Sequence, residues 1–246
     1  MSTVATGSTF MSKLSSREEV AEGTMAFRFE KPDRWTFKAG QFVDMTLLQP
    51  PETDTEGNTR TFSIASAPHD ALFMVATRMR ETAFKRVVRT IPLGTAVKIE
   101  GPSVTLTLHN NAARPAVLLA GGRGITPFRS MLFWAAKEKL PHRLVLFYSN
   151  RRPKDAPFLE ELQALERKNP NYTLIATMTN IANSRRSWSG ETGLITKDML
   201  TRHVKNVASP IYYIAGPPTM VKGLQTMLKE AGIDDDDICA EEFAGY

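Results

Sequence analysis

The chain has 246 residues, 42% hydrophobic and 23% charged, and a formal net charge of +5. That composition supports a sizeable core without staples and excludes a disordered, collagenous or coiled-coil bulk. The single cysteine, Cys239, excludes an intramolecular disulfide, a four-cysteine zinc site and an iron–sulfur cluster carried by this chain alone.

In chain order, residues 1–9 are small and polar and lack the basic and apolar stretches of a signal peptide. No apolar run approaches the roughly 18 residues of a membrane span. A cytoplasmic protein without a membrane span is expected. Residues 41–48, 60–66, 72–80 and 95–100 read as short strands, broken by the Pro/Thr/Gly-rich loop 49–59 and by Pro68, Gly94 and Gly101-Pro102. Strands of this kind predict an antiparallel β-barrel or sandwich. Residues 82–90 predict one short helix with Thr82 as its cap.

The rhythm changes near 110–114. Residues 116–120 form a continuous apolar run, as in a strand buried on both faces. A helix over 127–139 follows, with Thr126 as N-cap and Pro127 at its first position. Strands over 144–148, 172–178, 211–215 and 238–243 alternate with helices over 156–168 (capped by Asp155), 196–204 and 218–231. This alternation predicts βαβ units and a parallel sheet with helices on both faces. The expected architecture is an N-terminal antiparallel β-barrel over 1–112 and a C-terminal α/β nucleotide-binding domain over 113–246.

Ligands of a parallel sheet sit beyond the carboxyl ends of its strands. Two loops there are Gly-rich: Gly121-Gly122-Arg123-Gly124-Ile125-Thr126-Pro127 and Ala215-Gly216-Pro217-Pro218. Each is either a plain tight turn or an anion cradle in which backbone N–H groups and a helix N-terminus approach a phosphate. The first lacks the G-x-G-x-x-G spacing. In the barrel half, Arg60-Thr61-Phe62-Ser63-Ile64-Ala65-Ser66 sets a cation, an aromatic and a hydroxyl in one short strand. Alternation puts Arg60, Phe62 and Ile64 on one face and Thr61, Ser63 and Ala65 on the other.

Taken in order, these segments resemble the ferredoxin–NADP reductase superfamily. Arg60 to Ser66 is similar to its R-x-[Y/F]-S-x-x-S flavin motif, and Phe37 to Phe42 to its P-G-Q-F stretch. Gly121 to Pro127 is similar to its G-G-x-G-I-T-P loop, Tyr213 to Pro218 to its C-G-P-P segment, and Glu241-Glu242-Phe243 to its C-terminal E-x-F. The resemblance implies an FAD-binding barrel and an NADP- or NAD-binding domain. By it, Arg60 contacts the flavin pyrophosphate, Thr82 faces it from a helix start, Phe62 flanks the isoalloxazine and Ser63 hydrogen-bonds near N5; Thr61 and Arg78 are further cofactor-binding candidates. Gly122, Gly124, Thr126, Gly216 and Pro217 line the NAD(P) site, and Phe243 or Tyr246 lies by the flavin ring. The implied chemistry is hydride transfer from NAD(P)H to flavin N5, with single electrons passed to a separate acceptor such as an acidic ferredoxin or flavodoxin. Ser63 and Phe243 are the expected catalytic pair. A flavin- or nucleotide-binding regulatory protein with little turnover is the alternative.

The sequence departs from the family pattern in three places that bear on the site. Arg123 stands in a usually small or apolar position, Val104 replaces a glycine after Gly101-Pro102-Ser103, and Ala215 replaces a frequent cysteine. For the nucleotide, Arg151 or Arg152 after the second parallel strand can pair with a 2′-phosphate, with Arg185 and Arg186 as alternatives, and NADPH is favoured. The cations Arg78, Arg80, Lys85, Arg86 and Arg89 offer either pyrophosphate contacts or a docking patch for an acidic carrier. Basic residues are not interleaved with aromatics, so no nucleic acid is expected. The acidic run Asp234 to Asp237 lacks calcium-loop spacing and the four histidines form no metal motif, so no metal is expected.

Overall fold

Why the barrel half holds more strands than its pattern suggests is visible in its first hairpin. The computed structural model describes residues 7–104 and 106–243, so Tyr246 lies outside the described residues. Strand β1 (Ser8–Ala21) pairs with β2 (Thr24–Glu30) through two register shifts, between Leu14 and Ser16 and between Glu19 and Ala21. Each shift breaks the alternation that a sequence reading relies on. Strands β3 (Phe42–Leu47), β4 (Thr59–Ser63), β5 (Leu72–Arg78) and β6 (Ala96–Ser103) complete a six-stranded antiparallel sheet in the order β4-β3-β6-β1-β2-β5. Beyond β4, the Ala65 N–H donates to the Met74 carbonyl at 2.7 Å, so the sheet curls and its two edges meet. Inside lie Leu14, Phe27, Phe29, Val43 and Phe73, and helix α1 (Ala83–Thr90) adds Phe84, Val87 and Val88.

The second half is a parallel sheet. Strands β7 (Ala116–Gly121), β8 (Leu144–Asn150), β9 (Tyr172–Met178), β10 (Glu191–Thr192), β11 (Ile211–Gly216) and β12 (Ile238–Glu242) stand in the order β10-β9-β8-β7-β11-β12. Helices α2 (Ile125–Lys137), α3 (Leu159–Glu166), α4 (Lys197–His203) and α5 (Pro218–Glu230) connect them. β7 is buried along its whole length, which is why it reads as an uninterrupted apolar run. The strand order reverses between β7 and β11, the position where open α/β sheets place their ligands.

Two expected caps are corrected. Helix α2 begins at Ile125, one residue before the expected cap, because a 3-10 turn over Gly122–Gly124 leads straight into it. Thr126 is therefore inside the helix, and its hydroxyl donates to the Arg123 carbonyl at 2.9 Å. Asp155 does not cap α3. Its carboxylate holds Arg152 through two bonds of 2.7 and 2.9 Å, and α3 starts after Phe158, whose φ is 63°.

Helix α2 also fastens the two halves together. Arg129 donates to the Ala65 carbonyl at 2.7 Å and grips Glu161 bidentately, and the Ser130 hydroxyl donates to the Ser66 carbonyl at 2.6 Å. Small side chains on the barrel side (Ala26, Ala39, Ala65 and Ala76) let Phe128 and Met131 of α2 pack close.

Candidate functional site

The site begins where the β7–α2 and β11–α5 turns touch. A Cβ on Gly124 would lie 2.0 Å from the Ala215 carbonyl oxygen and 2.8 Å from the Gly216 nitrogen, so only glycine allows this approach. From this junction a cleft of about 1010 Å³ crosses the carboxyl ends of the parallel strands. Gly122, Arg151, Lys197 and Pro217 line it from the α/β half, and Arg78 and Arg80 reach it from the barrel. Gly124, Thr126 and Gly216 are packed beneath it and support the loops.

At the far end the four candidate arginines separate. Arg151 lines the cleft. Arg152 is held by Asp155 and lies 3.6 Å from Glu22 of the β1–β2 turn, while Arg185 and Arg186 sit on an exposed turn away from the cleft lining. Lys197, at the first position of α4, was not anticipated, because a lone lysine at a helix start carries no motif.

At the barrel end, cations converge. Lys85 is buried and donates to the Arg78 carbonyl at 2.7 Å. Burial, reinforced by the Arg123, Arg80 and Arg60 guanidinium groups, pulls its ammonium down to about 8. Glu56 is the opposing charge in this cluster. Thr82 stands at the α1 cap position, yet its hydroxyl is buried without a hydrogen-bond partner. The cap is supplied instead by Asp54, which accepts the Ala83 N–H at 2.7 Å. Arg60 lies 5.2 Å over the Phe84 ring, and Glu56 holds its guanidinium at 2.7 Å. Thr61 donates to Asp44.

Ser63 of the barrel is 4% exposed, and its hydroxyl makes no hydrogen bond of good geometry. It faces Glu241, and one oxygen of that carboxyl is also buried without a partner. Burial pushes the Glu241 carboxyl up to about 7, partly offset by the Ser63 hydroxyl. Glu241 belongs to the quoted E-x-F segment but was passed over as a functional residue, since its burial is invisible in sequence. Phe243 follows β12 and is tied to β11 by its N–H on the Gly216 carbonyl at 2.9 Å. Phe62, 8% exposed, packs in the barrel core with its ring centroid 5.9 Å from Phe84. Arg86 is engaged bidentately by Glu52 at 3.0 and 2.6 Å, so the five grouped cations do not form one free patch. Among the described residues no group of three or more His, Cys, Asp or Glu side chains is placed to hold a metal.

The oxidoreductase NAD-binding domain family matches residues 118–226. Over 239 residues the chain is 25% identical to reductase component 2 of the terephthalate 1,2-dioxygenase of Comamonas sp., covering 96% of this chain and 68% of that one. It is 29% identical over 222 residues to the ferredoxin–NAD(P)+ reductase component of the naphthalene 1,2-dioxygenase system of Pseudomonas putida, covering 88% and 62%. The ferredoxin NADP+ reductase of Neisseria gonorrhoeae, solved with bound FAD and NADP, superposes with a TM-score of 0.75 at 20% identity, covering 95% of this chain and 98% of that one. Residues 118–226 thus match the oxidoreductase NAD-binding domain, and nearly the whole chain is similar to these reductase components and shares the fold of the reductase structure. The flavohem-like FAD/NAD-binding domain of the Vibrio cholerae nitric oxide dioxygenase has the same fold, with a TM-score of 0.82 at 16% identity and coverage of 95% and 98%. The chain spans the full length of these two structures and about two thirds of the dioxygenase reductase components. No helix among the described residues is long and apolar enough to cross a membrane.

Proposed function

We propose that this protein is an FAD-dependent NAD(P)H oxidoreductase that passes single electrons to a separate acceptor. The observation that carries the reading is the cleft at the carboxyl ends of the parallel strands, which Arg78 and Arg80 of the barrel share with Gly122, Arg151 and Lys197 of the α/β half. Beside it, Lys85 is buried among arginines and donates to the Arg78 carbonyl, and Ser63 faces Glu241. A flavin dinucleotide fits these groups: its pyrophosphate answers the cations around Lys85 and the Thr82 hydroxyl, and its ring edge answers Ser63.

Bound FAD supplies a centre that takes two electrons as a hydride and gives them up one at a time. The chain's own residues do the rest. Arg60, Arg78, Thr82 and Lys85 hold the pyrophosphate. Ser63 would offer its hydroxyl to N5, and Glu241, its carboxyl pushed up to about 7 by burial, exchanges a proton beside that hydroxyl near neutral pH. Gly122, supported by Gly124, lets the nicotinamide nucleotide approach the α2 N-terminus. Arg151 and Lys197 at the far end of the cleft favour a 2′-phosphate, hence NADPH over NADH. Phe243, just after β12 and tied to β11, would shield the flavin ring from water where a nicotinamide enters. The catalytic contribution is to bring two rings to hydride distance.

The acceptor is a separate redox protein of the kind served by the dioxygenase reductase components, with an acidic ferredoxin as the leading candidate given the net charge of +5. A reducing, cytoplasmic setting fits the single free cysteine. Anaerobic titration of the purified protein with NADPH tests the reading. Near-stoichiometric bleaching of flavin bands is expected, with NADH less effective. A preparation that stays colourless with added FAD overturns it.

A further inference from the structure

The β3–β4 loop does more than connect two strands. Its carboxylates sit on the groups that the flavin pyrophosphate is proposed to use. Asp54 accepts the Ala83 N–H at the start of α1 at 2.7 Å, and its other oxygen lies 3.7 Å from Arg60. Glu56 pairs with Arg60 at 2.7 Å. The carbonyls of Glu56, Gly57 and Thr59 take the second nitrogen of the same guanidinium at 2.9, 3.0 and 2.8 Å. The loop thus engages both terminal nitrogens of Arg60. Glu52 closes the flank by gripping Arg86. The loop carboxylates make no hydrogen bond to Lys85, which donates to the Arg78 carbonyl, or to the Thr82 hydroxyl, which is buried without a partner a residue away from the Asp54 contact.

We propose that Asp54 and Glu56 compete with the flavin pyrophosphate for one set of donors, the Arg60 guanidinium and the first N–H of α1, so that the loop carboxylates must yield these donors when flavin binds. This rests on the flavin reading above. The physical argument is competition between anions for one set of donors. An anion at the first turn of a helix is stabilised by the free N–H groups and the helix dipole, and a carboxylate and a phosphate use the same donors. Arg60 cannot serve both the loop carbonyls and a pyrophosphate with the same nitrogen. The two acidic residues therefore set flavin affinity, and they act on phosphate-bearing flavins alone. A flavin without phosphates does not meet them.

The test uses the full chain, stripped of flavin, with D54N and E56Q as separate variants. Asn keeps a side-chain oxygen for the Ala83 N–H, and E56Q leaves the helix start untouched, so each variant folds independently of the other's effect. Binding is read by quenching of flavin fluorescence, with FAD and riboflavin as the two probes. Each variant is expected to bind FAD about five-fold more tightly, from the loss of one competing charge, with riboflavin affinity unchanged. Hydrogen exchange in the wild type is expected to rise across residues 52–59 on adding saturating FAD. Equal tightening for both flavins, unchanged FAD affinity in both variants, or a loop that stays protected with FAD bound overturns the inference while leaving the proposed function standing. A chain that binds neither flavin overturns both.

Discussion

Lys85 shows how much of the chemistry sits in single side chains. Its ammonium titrates near 8 because it is desolvated among arginines. A bound pyrophosphate restores the charged form, so binding takes up a proton once the free protein has lost it. The sign follows: below about 8 the lysine is charged in both states and affinity is flat, and above it affinity falls with rising pH. FAD binding measured from pH 6 to pH 10 is expected to show this decline, and K85M is expected to abolish it while weakening binding about ten-fold at pH 7. Sequence alone grouped Lys85 with four arginines as either a pyrophosphate contact or a docking patch. The structure divides that group, because burial and ion pairing depend on neighbours distant in the chain. Glu56 and Asp54 were illegible for the same reason: a Pro/Thr/Gly-rich loop reads as a spacer until it is folded back onto Arg60.

Among the elements, the parallel strands were legible because burial on both faces writes itself as an apolar run, as in β7. The β1–β2 hairpin was not, because its register shifts scramble a period-two pattern and its exposed stretches carry polar residues. The start of α2 was displaced by two residues, since the 3-10 turn ahead of it leads straight into the helix and leaves no sequence boundary. The meeting of the β7–α2 and β11–α5 turns has a sharp consequence. Gly124→Ala sets a methyl against backbone that cannot yield, and is expected to cost about 3 kcal/mol and lower the thermal midpoint by about 10 °C. Gly223, in the middle of α5, has no neighbour within 4 Å of a built Cβ. Gly223→Ala is expected to raise stability by about 0.5–1 kcal/mol through helix propensity. Calorimetry on the two variants distinguishes a steric glycine from a merely permissive one.

For the whole molecule, the relation between the halves rests on α2. Arg129 is nearly buried, bonded to the Ala65 carbonyl and paired with Glu161. Arg129→Met leaves both partners unsatisfied and is expected to cost about 2–3 kcal/mol. It touches neither the pyrophosphate cluster nor the nucleotide cleft, so FAD and NADPH affinities are expected to hold while stopped-flow flavin reduction by NADPH slows, because the two rings are no longer held in register. The same helix carries a further consequence. Its apolar face packs into a core that continues through Ala26, Ala39, Ala65 and Ala76 of the barrel. Neither half owns that seam. A chimera that joins this nucleotide half to a foreign barrel inherits the bulky knobs of α2 without the alanine hollow that receives them. Gene fusions and domain exchanges involving this unit are therefore constrained to move barrel and nucleotide half together, as one heritable piece.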